Sequence, residues 1–228
     1  MYLPVFIGIL CGILVFLVYA SAAIRSGVYL KAVCRLKTDE KVVALTFDDG
    51  PDSITTPKIL DILSGYGIPA LFFCTGHKME GQEHLLQRMV DEGHGLGNHT
   101  YAHSALFPLL PLAKMKKDMQ KCEERIQHFT HCRPFFRPPF GVTNPTVAKA
   151  AAQLGYRTMG WNVRSFDTVK KNYRDVAKRI NKKLQPGNII LLHDTTPAMP
   201  ELLTDIINYA RQQGYRFVRA DKYGGGTT

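Results

Sequence analysis

Val42-Val43-Ala44-Leu45-Thr46-Phe47-Asp48-Asp49-Gly50-Pro51 is the stretch whose reading decides the fold. Its first four residues are apolar without alternation, the pattern of a parallel strand covered on both faces. Gly50 and Pro51 then stop the strand. Two adjacent carboxylates at a buried strand end repel one another and resist desolvation, so they need a cation, a shared proton or water. A divalent metal meets both demands. A lone Asp-Asp-Gly is more often a hydrophilic turn, and residues downstream decide between the two.

Working outward, the pattern of that strand recurs. Helical periodicity runs from Thr56 to Tyr66, Leu85 to Glu92, Thr146 to Leu154 and Leu202 to Gln213, and each run meets a glycine: Gly67, Gly93, Gly155 and Gly214. A glycine there supplies the left-handed residue of a helix C-cap before the chain turns into a strand. A longer Lys-rich helix is expected from Pro111 to about Phe129. Strands are expected near 42–47, 69–74, 93–98, 134–137, 157–163, 188–192 and 215–220. Repeated βα units imply parallel strands with helices outside them. So many units in one domain predict an α/β fold, a distorted or incomplete (β/α) barrel in preference to an open sheet, with chemistry at the carboxyl ends of the strands.

The ends of the chain are different. Tyr2 to Ile24 carries no charge and is long enough to span a bilayer core of about 20 residues. The expected division is a transmembrane segment or signal anchor at 1–24, a linker at 25–40, one domain at 41–222 and a tail at 223–228. Ala20-Ser21-Ala22 has the small residues of a signal-peptidase site, but no basic residue precedes the apolar run. Arg25, Lys31, Arg35 and Lys37 follow the span, and the positive-inside rule would place that flank in the cytoplasm.

With 228 residues, 45% of them hydrophobic, one core is the default. A formal charge of +10 suits anionic surfaces such as membrane lipid or envelope polysaccharide. There is no basic helix with interleaved aromatics and no zinc-finger spacing, which argues against nucleic acid. No two cysteines stand at C-x-x-C spacing, and Cys74, in an apolar run, is expected in the core.

The residues that carry chemistry fall at predicted strand ends. His99 and His103 stand four apart, so a short helix or turn can aim both imidazoles at one point. With a carboxylate from the first strand they make a His, His, Asp set that suits zinc and leaves a position for water. Arg137 precedes Pro138, which favours an extended backbone and lets the guanidinium clamp a carboxylate through two hydrogen bonds. Asp167 closes the run from Trp161 to Thr168, and four aliphatics, Ile189 to Leu192, deliver His193 to the end of a buried strand.

In this order, Thr46-Phe47-Asp48-Asp49-Gly50-Pro51, His99-x-x-x-His103, Arg137-Pro138-Pro139-Phe140-Gly141, Asp167 and Leu191-Leu192-His193-Asp194 resemble the motifs of the polysaccharide deacetylases (carbohydrate esterase family four, the NodB homology domain). The resemblance covers about residues 41 to 221. It implies a distorted (β/α) barrel and metal-dependent hydrolysis of acetyl groups on the sugars of a polysaccharide or envelope glycan. It also implies Asp49, His99 and His103 as ligands of a divalent metal, zinc first. Asp48 then looks like the general base, held by Arg137, and His193 like the general acid, supported by Asp167, with the Phe140 backbone N–H at the oxyanion. The expected partners are an acetylated glycan and, through the first helix, the membrane; the catalytic domain is expected outside the cytoplasm, where such polymers lie.

Two departures bear on substrate. The family's fourth motif often reads Asp-x-x-Asp-Trp, whereas Arg164 and Thr168 take its outer positions here, and Phe140 replaces the usual tyrosine of the third. Thr168 thereby removes a wall of the acetyl or sugar pocket. Two alternatives stay open at this level: an esterase or amidase acting on another substrate, and a membrane-tethered glycan-binding module without activity. Retention of both Asp48 and His193 speaks against the second, since binding needs neither a base nor an acid.

Overall fold

The computed structural model describes residues 3–170 and 172–223. The first two residues and the tail from 224 onward lie outside them. The chain begins with α1 (Leu3–Ala22) and continues through β1 (Ala32–Val33), β2 (Val42–Asp48), α2 (Thr55–Tyr66), β3 (Leu71–Cys74), α3 (Glu83–Asp91), β4 (Gly95–Asn98) and α4 (Leu112–Gln127). The second half holds α5 (Pro145–Gln153), β5 (Thr158–Met159), β6 (Val163–Arg164), α6 (Tyr173–Lys182), β7 (Asn188–His193), α7 (Met199–Gln212) and β8 (Arg216–Phe217).

Every residue of β2 is buried, as its unbroken apolar run requires. The strands lie in the order β4-β3-β2-β7-β6, all parallel, with β8 beside the start of β2. Phe136 bridges β4 at Asn98 and β5 at Thr158, β5 pairs with β1, and Arg35 after β1 bridges back to Asn188 on β7. The path nearly closes on itself, giving the distorted, incomplete (β/α) barrel. Alternation sorts the two faces: Leu45, Phe47, Phe72, Ile190 and Leu192 pack outward with α2, α6 and α7, while Val42, Ala44, Phe73 and Ile189 fill the interior. Asp48 continues the inward set of β2, and His193 that of β7. Register sets these two residues directly opposite one another.

Several elements differ from the sequence expectation. The strand expected at 134–137 pairs only through Phe136, because Pro134 and Pro138 bound it. The strand expected at 157–163 is split into β5 and β6, since the carbonyls of Met159 and Gly160 accept from the Arg137 guanidinium. Only Arg216 and Phe217 of 215–220 form strand. Residues 25–40, expected as a linker, run against the body: Leu36 is buried, and Ala32 and Val33 pair with β5. The helix α6 has no counterpart in the sequence reading. Asn172 caps it, and only Val176, Ala177 and Ile180 of its ten residues are buried, so its charged majority hides the period.

Candidate active site

The site lies where the carboxyl ends of β2, β4 and β7 converge. Asp48 is the last residue of β2, and Asp49 follows with φ 77°, which swings its carboxylate off the strand. Gly50 comes next, and no side chain fits there: a Cβ would lie 1.9 Å from Asp194 Oδ2. Thr100 and His103 also have positive φ, 66° and 45°, so the two histidines are aimed by a turn and not by a helix. Phe140, at φ 59°, and Phe166, at φ 62°, complete the non-glycine residues of this kind among those described. All five border this one site, where such strain persists only if the surroundings impose it.

Asp49, His99 and His103 each bring one donor atom into a set whose members lie within 4.8 Å of one another. His99 is buried, and its Nδ1 donates to the Arg137 carbonyl at 2.7 Å, because a carbonyl can only accept. Its Nε2 is thereby turned to Asp49, 3.4 Å away. His103 Nε2 is 3.2 Å from Asp49 Oδ1 but outside hydrogen-bond geometry, leaving this buried nitrogen without a partner. Burial and the neighbouring His99 push His103 down to about 4, so its imidazole is neutral at pH 7. Burial opposes ionisation of Asp49, yet the hydrogen bond and charge of His99, with His103 and His193, hold it well below the carboxylate range. One carboxylate and two imidazoles, that of His103 with its Nε2 unpartnered, fit a divalent cation.

Asp48 faces this set without joining it. Its Oδ1 accepts from Arg137 Nη1 at 2.6 Å, and its Oδ2 lies 3.7 Å from His99 Nε2. Arg137 is fully buried and also donates to Thr46 Oγ1 at 3.0 Å and to the carbonyls of Met159 and Gly160 at 3.1 and 2.8 Å. Its guanidinium lies over the Phe73 ring at 3.9 Å. On the other side, His193 Nδ1 donates to Asp167 Oδ1 at 2.8 Å, while the His193 backbone N–H donates to Oδ2 at 2.8 Å. Burial disfavours the His193 cation, but the hydrogen bond and charge of Asp167, with Asp48 and Asp49, outweigh it and raise the imidazole to about 8.

All nine sequence-predicted residues meet here. Seven of them, with Gly141, Trp161, Arg164 and Leu191, line a cleft of about 250 Å³; Arg137 and Asp167 stand behind it as supports. A groove of about 460 Å³ begins on the far side of Thr168, which lines both. Sequence reasoning assigned no role to Thr46, Ser165 and Asp194. Thr46 positions Arg137, and Ser165 donates to Asp167 Oδ1 at 2.6 Å. Asp194 accepts from Thr56 Oγ1 at 2.7 Å, and burial, with Asp49 nearby, raises its carboxyl to about 7. Their signal was present, since Thr46 and Asp194 stand within the quoted motifs and Ser165 lies two residues before Asp167.

A separate cleft of about 500 Å³ lies at the amino-terminal end of β3 and β4, away from this chemistry. It is lined by Arg133, Arg157 and Arg219, but Arg219 is already paired with Asp221 at 2.8 Å and Arg133 donates to the Leu154 carbonyl.

The profile of the family described as polysaccharide deacetylase matches residues 35–159. The chain is 34% identical over 189 residues to the peptidoglycan-N-acetylmuramic acid deacetylase PdaA of Bacillus subtilis, covering 81% of this chain and 72% of that protein. Among solved structures, the Bc1960 peptidoglycan N-acetylglucosamine deacetylase, in complex with 4-naphthalen-1-yl-N-oxidanyl-benzamide, superimposes with a TM-score of 0.79 at 30% identity, over 84% of this chain and 92% of that one. BA3943 of Bacillus anthracis, described as a pseudoenzyme of carbohydrate esterase family four, matches with a TM-score of 0.77 at 26% identity, over 85% and 68% of the two chains. The fold is thus shared with a protein called inactive, which leaves activity to be argued from the site residues. With a profile match over more than half its length and the motifs assembled around one cleft, the chain belongs to the polysaccharide deacetylase family.

Proposed function

We propose that this protein is a metal-dependent hydrolase that removes acetyl groups from N-acetylated sugars of an envelope glycan, with peptidoglycan first among candidates because the relatives are named for it. One observation carries the reading: Asp48 and His193 stand opposite each other in register, each fixed by its own buried partner, and line one cleft with a three-donor cation set. A binding module needs neither an oriented base nor an oriented acid.

Asp49, His99 and His103 would hold the metal, zinc suiting two imidazoles and one carboxylate. When bound, such an ion supplies Lewis acidity to water and to the acetyl carbonyl. Asp48, with Oδ1 fixed by Arg137 and Oδ2 turned to the cleft, takes the proton of the attacking water. The backbone N–H of Phe140, set by its left-handed conformation, stabilises charge on the carbonyl oxygen. His193 is an imidazolium below about pH 8 and gives its proton to the departing amine from Nε2, since Nδ1–H is committed to Asp167. Leu191 and Trp161 add apolar surface to the cleft. We further propose that residues 41–222 form the catalytic domain and that α1 anchors it outside the cytoplasm.

Acetate release by the full chain in detergent, measured on N-acetylated oligosaccharides with and without a chelator, tests the reading. Turnover abolished by chelator and restored by Zn²⁺ is expected; no release from any N-acetylated sugar would overturn it. Thr168 offers a narrower test. Because it separates the cleft from the adjoining groove, Thr168→Trp should close that groove and change kcat/KM between substrates of different length tenfold or more while leaving metal affinity within twofold. Equal kinetics across a length series would place Thr168 outside the binding surface.

A further inference from the structure

The apolar helix is bonded to the wall of the cleft. Ala20 is fully buried and its carbonyl accepts from Thr143 Oγ1 at 3.2 Å, while the Ser21 carbonyl accepts from the Thr143 N–H at 2.9 Å. Thr143 is buried too, two residues beyond Gly141 of the cleft wall. Ile24 packs beneath Gly160, where a Cβ would lie 3.0 Å from it. By contrast, the large apolar side chains of α1 from Leu3 to Tyr19 are exposed, which a soluble surface does not tolerate as one contiguous patch. Its 20 residues rise about 30 Å, the thickness of bilayer hydrocarbon. With α1 in a bilayer, its last turn marks the edge of the hydrocarbon. Phe140 is three residues from Thr143, hence at most about 11 Å along the chain from that edge.

A second loop reaches the same place. Asn144, next to Thr143, donates from Nδ2 to the Pro108 carbonyl at 2.6 Å. The turn so tied starts three residues after His103, and Leu106 and Leu109 in it are 64% and 79% exposed while Phe107 between them is buried. Lys149 lines a shallow groove with Leu109, and exposed Arg25 and Lys31 follow α1. Apolar residues at a boundary with cations beside them have the composition of a membrane-interfacial surface.

We propose that Leu106, Leu109 and Phe140 rest in the membrane interface around the mouth of the cleft, so that the substrate is an N-acetylated sugar carried on a membrane lipid. This rests on the deacetylase reading and names the form in which the sugar arrives. It also requires that α1 be retained, since cleavage at Ala20-Ser21-Ala22 would remove the acceptors of Thr143.

The test uses the full chain in vesicles of phosphatidylethanolamine and phosphatidylglycerol, with either an N-acetylglucosaminyl lipid in the same vesicles or a soluble N-acetylglucosamine oligomer. The double variant Leu106→Glu, Leu109→Glu should lower kcat/KM on the lipid-borne sugar at least tenfold and change it less than twofold on the oligomer. Separately, Leu109→Trp should add fluorescence, read against wild type with its single Trp161, that brominated lipids quench. Unquenched added fluorescence overturns the interfacial contact. Equal loss on both sugars means that the turn merely supports His103, and no loss on either means that it is idle; both overturn the proposal. A wild type that hydrolyses the oligomer but not the lipid-borne sugar overturns this inference alone. One that hydrolyses neither overturns the substrate assignment, while acetate release from other N-acetylated sugars decides the deacetylase reading separately and quenching still decides the contact.

Discussion

Asp48→Asn should lower kcat by about 10²–10⁴, the usual worth of a general base, and keep its metal. Asp49→Asn should lose the metal, because a neutral amide is a poorer ligand than a carboxylate. The two aspartates are neighbours in sequence, but Asp48 is spoken for by Arg137 at 2.6 Å and Asp49 alone stands within 3.4 Å of both histidines. Asp48→Asn should carry a second cost. Arg137 is fully buried and Asp48 is the carboxylate that pairs with it, so removing that charge strands a buried cation, worth about 3–5 kcal/mol of stability. Metal content, kcat and denaturant midpoints on the purified variants check all three. Metal lost from Asp48→Asn and retained with activity in Asp49→Asn would reverse the assignment.

His193→Ala should separate substrates by leaving group. An amine must be protonated to depart, so amide turnover should fall by about 10²–10⁴; an activated acetyl ester, whose leaving group needs no proton, should lose far less. The pH profile gives an independent check. The acid form of His193 predominates below its raised value of about 8, so amide turnover should decline as pH rises through about 8, and the ester profile should lack that limb. Asp167→Asn removes the hydrogen bond and charge that raise the imidazole, and should move the limb to lower pH. An amide profile flat to pH 10 would exclude His193 as the proton donor.

The ordered motifs made the site legible because each sits at a strand end, where an unbroken apolar run such as Ile189 to Leu192 announces both the strand and its terminus. What escaped the sequence uses backbone atoms or small polar residues as partners. The Arg137 guanidinium finds the carbonyls of Met159 and Gly160, 22 and 23 residues on, and this diversion splits one expected strand into β5 and β6. A carbonyl has no residue-type signature. The same holds for the bond between Thr143 and the end of α1, 123 residues apart, and for the short pairing of Ala32 and Val33 within what reads as a linker. The helix α6 was hidden by its own charge, with three buried positions among ten.

Arg137 ties β2 to the chain between β5 and β6 and, through the same planar group, aims the Asp48 carboxylate. Lysine, with one point of charge and no fork, cannot replace it. For anyone seeking to redirect this enzyme, that fusion divides the molecule in two. The inner ring is closed to variation, since any change that re-aims the base also loosens the seam of the barrel. Freedom lies at the rim, where exposed Thr168 touches the cleft beyond the end of β6, and it is there that new specificities can be selected without a toll on folding.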